Sequence, residues 1–123
     1  MARTTEVAFV EDDPDLREAV VAYFKVSGFD TAQFECAQDA LIALREHPVD
    51  VVVTDLGLGR GTGGRELAHA LRSDPRTRGI RVLCLTGDID AAIDDTGTLY
   101  DAVLAKPVDL DELVEAVRKL LPA

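Results

Sequence analysis

The amino-acid sequence predicts an α/β domain: a parallel sheet, doubly wound by helices. Short apolar runs alternate with helical patterns from Val7 to Leu121, which is the order that feeds β–α units. The apolar runs are near-continuous rather than alternating, as strands covered on both faces require. Four of the runs also end in residues that phosphoryl chemistry could use. Val7–Val10 ends in Glu11, Asp12 and Asp13; Val51–Thr54 ends in Asp55; Ile80–Leu85 ends in Thr86; Ala102–Ala105 ends in Lys106 and Pro107. An open parallel sheet lines up the carboxyl ends of its strands along one edge, where such folds bind ligands.

The elements follow in order. Val7–Val10 is the first strand. Asp13-Pro14 then starts a helix, with Asp as N-cap and Pro at the first helical position. Leu16, Ala19, Val20, Tyr23 and Phe24 continue it at helical spacing, and Ser27-Gly28 ends it. Phe29–Phe34 is a short strand. Ala37–Arg45 is a helix with Ala40, Leu41 and Leu44 inward, stopped before Pro48. Asp50–Thr54 is a β-branched strand. A glycine-rich loop leads to a helix from about Gly63 to Leu71, with Leu67, Ala68 and Leu71 inward, and Asp74-Pro75 breaks the chain after it. Ile80–Thr86 is a strand. Asp88–Gly97 is a weak helix, acidic and poor in apolar residues. Ala102–Ala105 is the last strand. Asp109–Leu121 is a strong helix, capped by Asp109 with Glu112 three residues on, its apolar face being Leu113, Val117, Leu120 and Leu121.

The 123 residues suit one domain, 1–123, large enough for a real core. No apolar stretch approaches the length of a membrane span, and the polar start Met1–Glu6 is no signal peptide, so a cytoplasmic location is expected. The formal net charge of −10, with scattered Lys and Arg, disfavours nucleic-acid binding. Cys36 and Cys84 have no close pairing and no nearby histidine, which argues against a disulfide scaffold or a zinc site. Cys84 reads as a small core residue, His47 as a helix-end cation and His69 as an exposed helical side chain.

Asp55 alone would read as a turn residue. Acids, a hydroxyl and an amine ending three other strands change that reading. An Asp can act as a nucleophile and carry an aspartyl-phosphate. Clustered carboxylates facing an anionic phosphoryl group call for a divalent cation, and hard oxygen ligands suit Mg²⁺. Lys106 can pair with carboxylate and phosphoryl oxygens, and Thr86 can donate to a phosphoryl oxygen.

The stretches Val10-Glu11-Asp12-Asp13-Pro14, Thr54-Asp55-Leu56-Gly57-Leu58, Leu85-Thr86-Gly87 and Ala105-Lys106-Pro107, taken together, resemble a response regulator receiver domain, the phosphoacceptor of bacterial two-component signalling. The resemblance runs from Val7 to Leu121. It implies a flavodoxin-like (βα)5 fold with strand order 2-1-3-4-5, and Asp55 as phosphoacceptor. It implies Mg²⁺ held by Asp12, Asp55 and the Gly57 carbonyl, with Glu11 acting through a water. It makes Thr86 the switch hydroxyl and Lys106 the phosphate-pairing lysine, with a Lys106–Pro107 peptide that is commonly cis in the family. The donor it implies is a histidine kinase or histidine phosphotransfer protein, and the output an unidentified downstream protein.

The chain departs from the family pattern in four places. Gly59 stands where the family usually has Pro, and the loop Gly57–Gly64 is glycine-rich enough to be expected mobile. Val103 stands at the usual switch aromatic, with Tyr100 three residues earlier. The helix Asp88–Gly97 is weak. Gly57 removes a side chain that in the family tunes phosphate lifetime. Three other readings are weighed: a dinucleotide site on Gly59-x-Gly61-x-x-Gly64, a hydrolase with Asp55 as nucleophile, and a domain that keeps the fold but signals by binding alone, against which the complete set of Glu11, Asp12, Asp55, Thr86 and Lys106 argues. A P-loop is excluded, because no Gly-Lys-Ser/Thr follows. The end of the chain straight after its last helix leads to the expectation of a free-standing regulator rather than a receiver excised from a hybrid kinase.

Overall fold

A computed structural model describes residues 4–57 and 63–121. The elements are β1 (Glu6–Val10), α1 (Pro14–Val26), β2 (Asp30–Phe34), α2 (Ala37–Glu46), β3 (Val51–Asp55), α3 (Gly64–Arg72), β4 (Arg81–Thr86), α4 (Ile89–Ala92), a single 3₁₀ turn (Ile93–Asp95), β5 (Ala102–Ala105) and α5 (Leu110–Leu120). All strand pairs are parallel, in the order β2-β1-β3-β4-β5. This is the flavodoxin-like (βα)5 arrangement expected from the sequence. Residues 58–62 lie outside the described residues. The expectation of a mobile loop and the Gly59-x-Gly61 half of the dinucleotide spacing fall on them.

Successive side chains of a strand point to opposite faces, so each apolar strand feeds two cores. Val7 and Phe9 join Val51, Val53, Leu83 and Leu85 beneath α1 and α5, where Val20, Phe24, Leu113 and Val117 are buried. Phe24 meets Phe9 and Phe29 edge-on, with ring centroids 6.2 and 5.8 Å apart. Ala8 and Val10 join Val52, Val82 and Cys84 on the other face, beneath Ala40, Leu44, Leu67 and Leu71.

The helix ends follow their local chemistry. The Asp13 carboxylate accepts from the N–H groups of Asp15 and Leu16, at 3.0 and 3.4 Å, and so caps α1. Gly28, after α1, has φ of 95°, a left-handed conformation that glycine adopts without strain. Asp109 accepts from Glu112 N–H at 3.1 Å and caps α5. His47 follows α2, and its Nε2 lies 2.7 Å from Glu6 Oε2. His69 is exposed and Cys84 is buried, as expected.

The weak helix is shorter than expected. One α-helical turn and one 3₁₀ turn replace a continuous Asp88–Gly97 helix. The Asp95 carbonyl is the cause. It accepts from the N–H groups of Leu99 and Tyr100, at 2.8 and 3.1 Å, and so closes a tight turn in which Gly97 has φ of 90°. Ala92 anchors the segment in the core, while Ile89 and Ile93 remain exposed.

Candidate functional site

The strand register brings the chosen residues to one edge. Val10 pairs with Thr54, so Glu11 lies level with Asp55, one residue past each. Asp55 pairs with Leu85, immediately before Thr86, and Thr86 pairs with Ala105, immediately before Lys106. Residues 95 positions apart thereby come within hydrogen-bond distance: Lys106 Nζ lies 3.2 Å from Glu11 Oε1 and 3.1 Å from Asp55 Oδ2. Carboxylate oxygens of Glu11, Asp12 and Asp55 all lie within 4.8 Å of one another.

Glu11 is almost fully buried, at 1% exposure, and is held at every polar atom. Its N–H donates to the Phe34 carbonyl (3.0 Å), its carbonyl accepts from Arg17 NH1 (2.8 Å), and its Oε2 accepts from Asp13 N–H (3.2 Å). Burial pushes its pKa above the usual 4.5, and the neighbouring Asp12 adds to this; the Asp13 N–H and Lys106 oppose it without prevailing. Burial alone would lower the Lys106 pKa, but its hydrogen bonds to Asp55 and Glu11 outweigh that and move it upward.

Asp55 is half-buried at the end of β3, and its Oδ1 accepts from the Gly57 N–H at 3.3 Å. Asp12 is exposed. Thr86 is buried at the end of β4, where its hydroxyl is already engaged: it donates to the Asp88 carbonyl (3.1 Å) and accepts from the Asp88 N–H (2.9 Å). The Lys106–Pro107 peptide is cis. Burial pushes the Cys84 thiol up to about 12, helped by nearby Asp55, which leaves it an inert core residue.

Three clustered carboxylates and one amine form a hard-oxygen donor set with unbalanced negative charge, which fits a small divalent cation. Arg17 and Gly64 also bear on the site, and sequence reasoning did not single out either. Arg17 lies beside Leu16 on α1, yet it reaches back to the Glu11 carbonyl. Gly64 entered only as the last glycine of the Gly59-x-Gly61-x-x-Gly64 spacing, yet it packs against the Asp55 backbone.

Comparison with known proteins gives matches along nearly the whole chain. Residues 7–118 match the family model for the response regulator receiver domain. The chain is 34% identical over 124 residues to the response regulator Rre1 of Synechocystis, covering 98% of this chain and 53% of that protein. It is 33% identical to the DNA-binding response regulator MtrA of Mycolicibacterium smegmatis, covering 94% of this chain and 50% of that protein. The chain thus spans about half the length of these curated relatives. A solved receiver domain from Methylobacillus flagellatus, described as CheY-like, superposes with a TM-score of 0.81 at 25% identity, over 97% of this chain and 100% of that one.

Proposed function

The chain belongs to the response regulator receiver domain family, and from that premise we propose that Asp55 accepts a phosphoryl group from a phosphohistidine. The observation that carries the reading is the convergence of Lys106 on Asp55 and Glu11 at the edge where Asp12 also lies. A carboxylate oxygen of Asp55 attacks phosphorus; the new O–P bond forms as the P–N bond of the donor breaks, and the imidazole leaves with the electron pair. Asp12, Asp55 and the Gly57 carbonyl would hold Mg²⁺, with Glu11 acting through a water, and the ion would offset repulsion between the acids and the incoming phosphoryl group. Lys106 orients Asp55 beforehand and can pair with a phosphoryl oxygen afterwards. Thr86 can donate its proton to a phosphoryl oxygen only by giving up the Asp88 carbonyl. Capture of that hydroxyl would therefore free the Asp88 carbonyl just before α4, while the Asp88 N–H can still donate to the Thr86 oxygen.

The donor in this reading is a histidine kinase or a histidine phosphotransfer protein. An apolar depression of about 440 Å³, lined by Leu16, Lys106, Pro107 and Val108, shares Lys106 with the site and offers the donor a seat. A downstream protein reads the phosphorylated state. The net charge of −10 supports a protein partner over nucleic acid. No helix among the described residues is long and apolar enough to cross a membrane, and we place the domain in the cytoplasm with its donor. The family assignment removes the support for the dinucleotide and phosphohydrolase readings.

Acetyl phosphate or phosphoramidate with Mg²⁺ should add one phosphoryl group, read by intact mass. Asp55→Asn should abolish the adduct. Undiminished labelling of that variant would sink the assignment.

A further inference from the structure

We propose that Arg17 is a positioning residue for the cation site, acting through the backbone of Glu11. The inference rests on the Mg²⁺ reading above. Arg17 stands half-buried in α1, and its guanidinium forks between two elements. NH1 donates to the Glu11 carbonyl at 2.8 Å, and Nε donates to Gln33 Oε1 on β2 at 3.2 Å. The Glu11 N–H is meanwhile tied to the Phe34 carbonyl, also on β2, at 3.0 Å. Both peptide groups flanking Glu11 are therefore fixed.

The peptide that Arg17 holds joins Glu11 to Asp12. A peptide unit is planar, so fixing its carbonyl fixes the direction in which the Asp12 backbone leaves. Asp12 is exposed, and the chain beyond it is held by the Asp13 N–H on Glu11 Oε2 at 3.2 Å and by the Asp13 cap of α1, so the Glu11 carbonyl is the hold on its other side. Without the Arg17 contact, the Glu11 carbonyl would be left without that donor and the Asp12 carboxylate would sample a wider arc. A cation site loses affinity when its ligands must be ordered on binding, and outer partners of ligands are worth about 10- to 100-fold in metal affinity or activity. The role needs arginine in particular. A planar fork can serve a carbonyl and an amide oxygen at once, whereas a lysine ammonium is a point charge on a flexible stem.

A guanidinium on the Glu11 backbone could also act by charge alone, and the experiment separates the two roles. The unfolding midpoint is followed against Mg²⁺ concentration at constant ionic strength, for wild type, Arg17→Ala, Arg17→Lys and Gln33→Ala. Phosphorylation by phosphoramidate is followed over the same Mg²⁺ range. Arg17→Ala should weaken Mg²⁺ binding about 10-fold. Arg17→Lys should weaken it nearly as much, although the charge is kept, and Gln33→Ala should weaken it by a smaller factor. In all three, the Mg²⁺ concentration for half-maximal labelling should rise more than the plateau rate falls. Wild-type affinity in Arg17→Lys would overturn the positioning role in favour of charge. Unchanged affinity in all three variants would overturn any role. If Arg17→Ala does not fold, Arg17→Lys and Gln33→Ala decide. No response of the wild-type protein to Mg²⁺ would instead defeat the cation site itself.

Discussion

A β-carbon on Gly64 would fall on the carbonyl oxygen of Asp55, with the Asp55 carbonyl carbon and Leu56 Cα each 3.0 Å away. All three are backbone atoms, which cannot swing aside. Gly64 is therefore the residue that lets the first turn of α3 press against the end of β3, where its N–H donates to the Leu56 carbonyl at 3.1 Å. Gly64→Ala should cost about 1–3 kcal/mol, the usual range for overpacking a tight contact. It should also slow labelling of Asp55, because α3 must shift away from the acceptor strand. Gly63 is the control. A β-carbon there meets the Glu66 carboxylate at 3.0 Å, the far end of a flexible side chain, and the Leu56 carbonyl oxygen at 3.3 Å, a far milder backbone contact than at Gly64. Denaturant unfolding of the two variants checks this, and equal stability would refute the packing argument. The contrast marks what was legible at this scale. Glu11, Asp12, Asp55, Thr86 and Lys106 could be chosen because each ends or follows an apolar run. Gly64 and Arg17 could not, because what distinguishes them is a contact across the fold with a backbone atom, which leaves no periodicity in the sequence.

Among the elements, the strands and the helices α1, α2 and α5 match their sequence patterns to within a residue or two, because caps and apolar faces agree there. The segment after β4 differs, since turn chemistry at Asp95 competes with helix continuation and wins. That segment is tied down at few points. Thr86 holds Asp88, and the Asp95 carboxylate, beyond the 3₁₀ turn, accepts from Arg65 Nε on α3 at 2.9 Å. Tyr100, just beyond, is 1% exposed, and burial pushes its hydroxyl pKa up to about 12. Val103 is half-buried and β-branched, with too little volume and torsional freedom to swing like an aromatic switch. Segments with few buried contacts are the ones available to move. Binding of beryllofluoride, a phosphoryl mimic, should therefore change hydrogen exchange first in residues 88–97, with Tyr100 little affected. A largest change around Tyr100 would mean that this buried ring has taken over the switch, and would refute the role given to that segment.

At the scale of the whole molecule, the excess of acid over base sets how stability responds to pH and to cations. Buried Glu11 has its folded-state pKa raised above 4.5, so the folded protein holds this proton more tightly than the unfolded chain does. Its contribution is therefore favourable at low pH and is lost as pH rises from 4.5 through the raised value. Asp74 acts in the opposite sense and in a lower window. Its side-chain and backbone hydrogen bonds with Arg76 hold it down at about 2, so the stability it lends is present above 3.8 and is lost as pH falls toward 2. Asp74 is half-buried but pairs with the exposed Arg76, so salt weakens that effect more than it weakens the effect of the buried Glu11. A cation held by Glu11, Asp12 and Asp55 favours the ionised form and should cancel the Glu11 loss. In metal-free buffer, Glu11→Gln should gain stability relative to wild type as pH rises from 4.5 toward 7. At about ten times its dissociation constant, Mg²⁺ should stabilise the wild type by about 1.4 kcal/mol, roughly 3–6 °C in unfolding midpoint for a domain of this size. Asp12→Ala should lose most of that response. General screening of a chain with net charge −10 would stabilise both proteins alike. An equal rise in wild type and Asp12→Ala at matched ionic strength would therefore assign the effect to the ion atmosphere and remove the cation from the site.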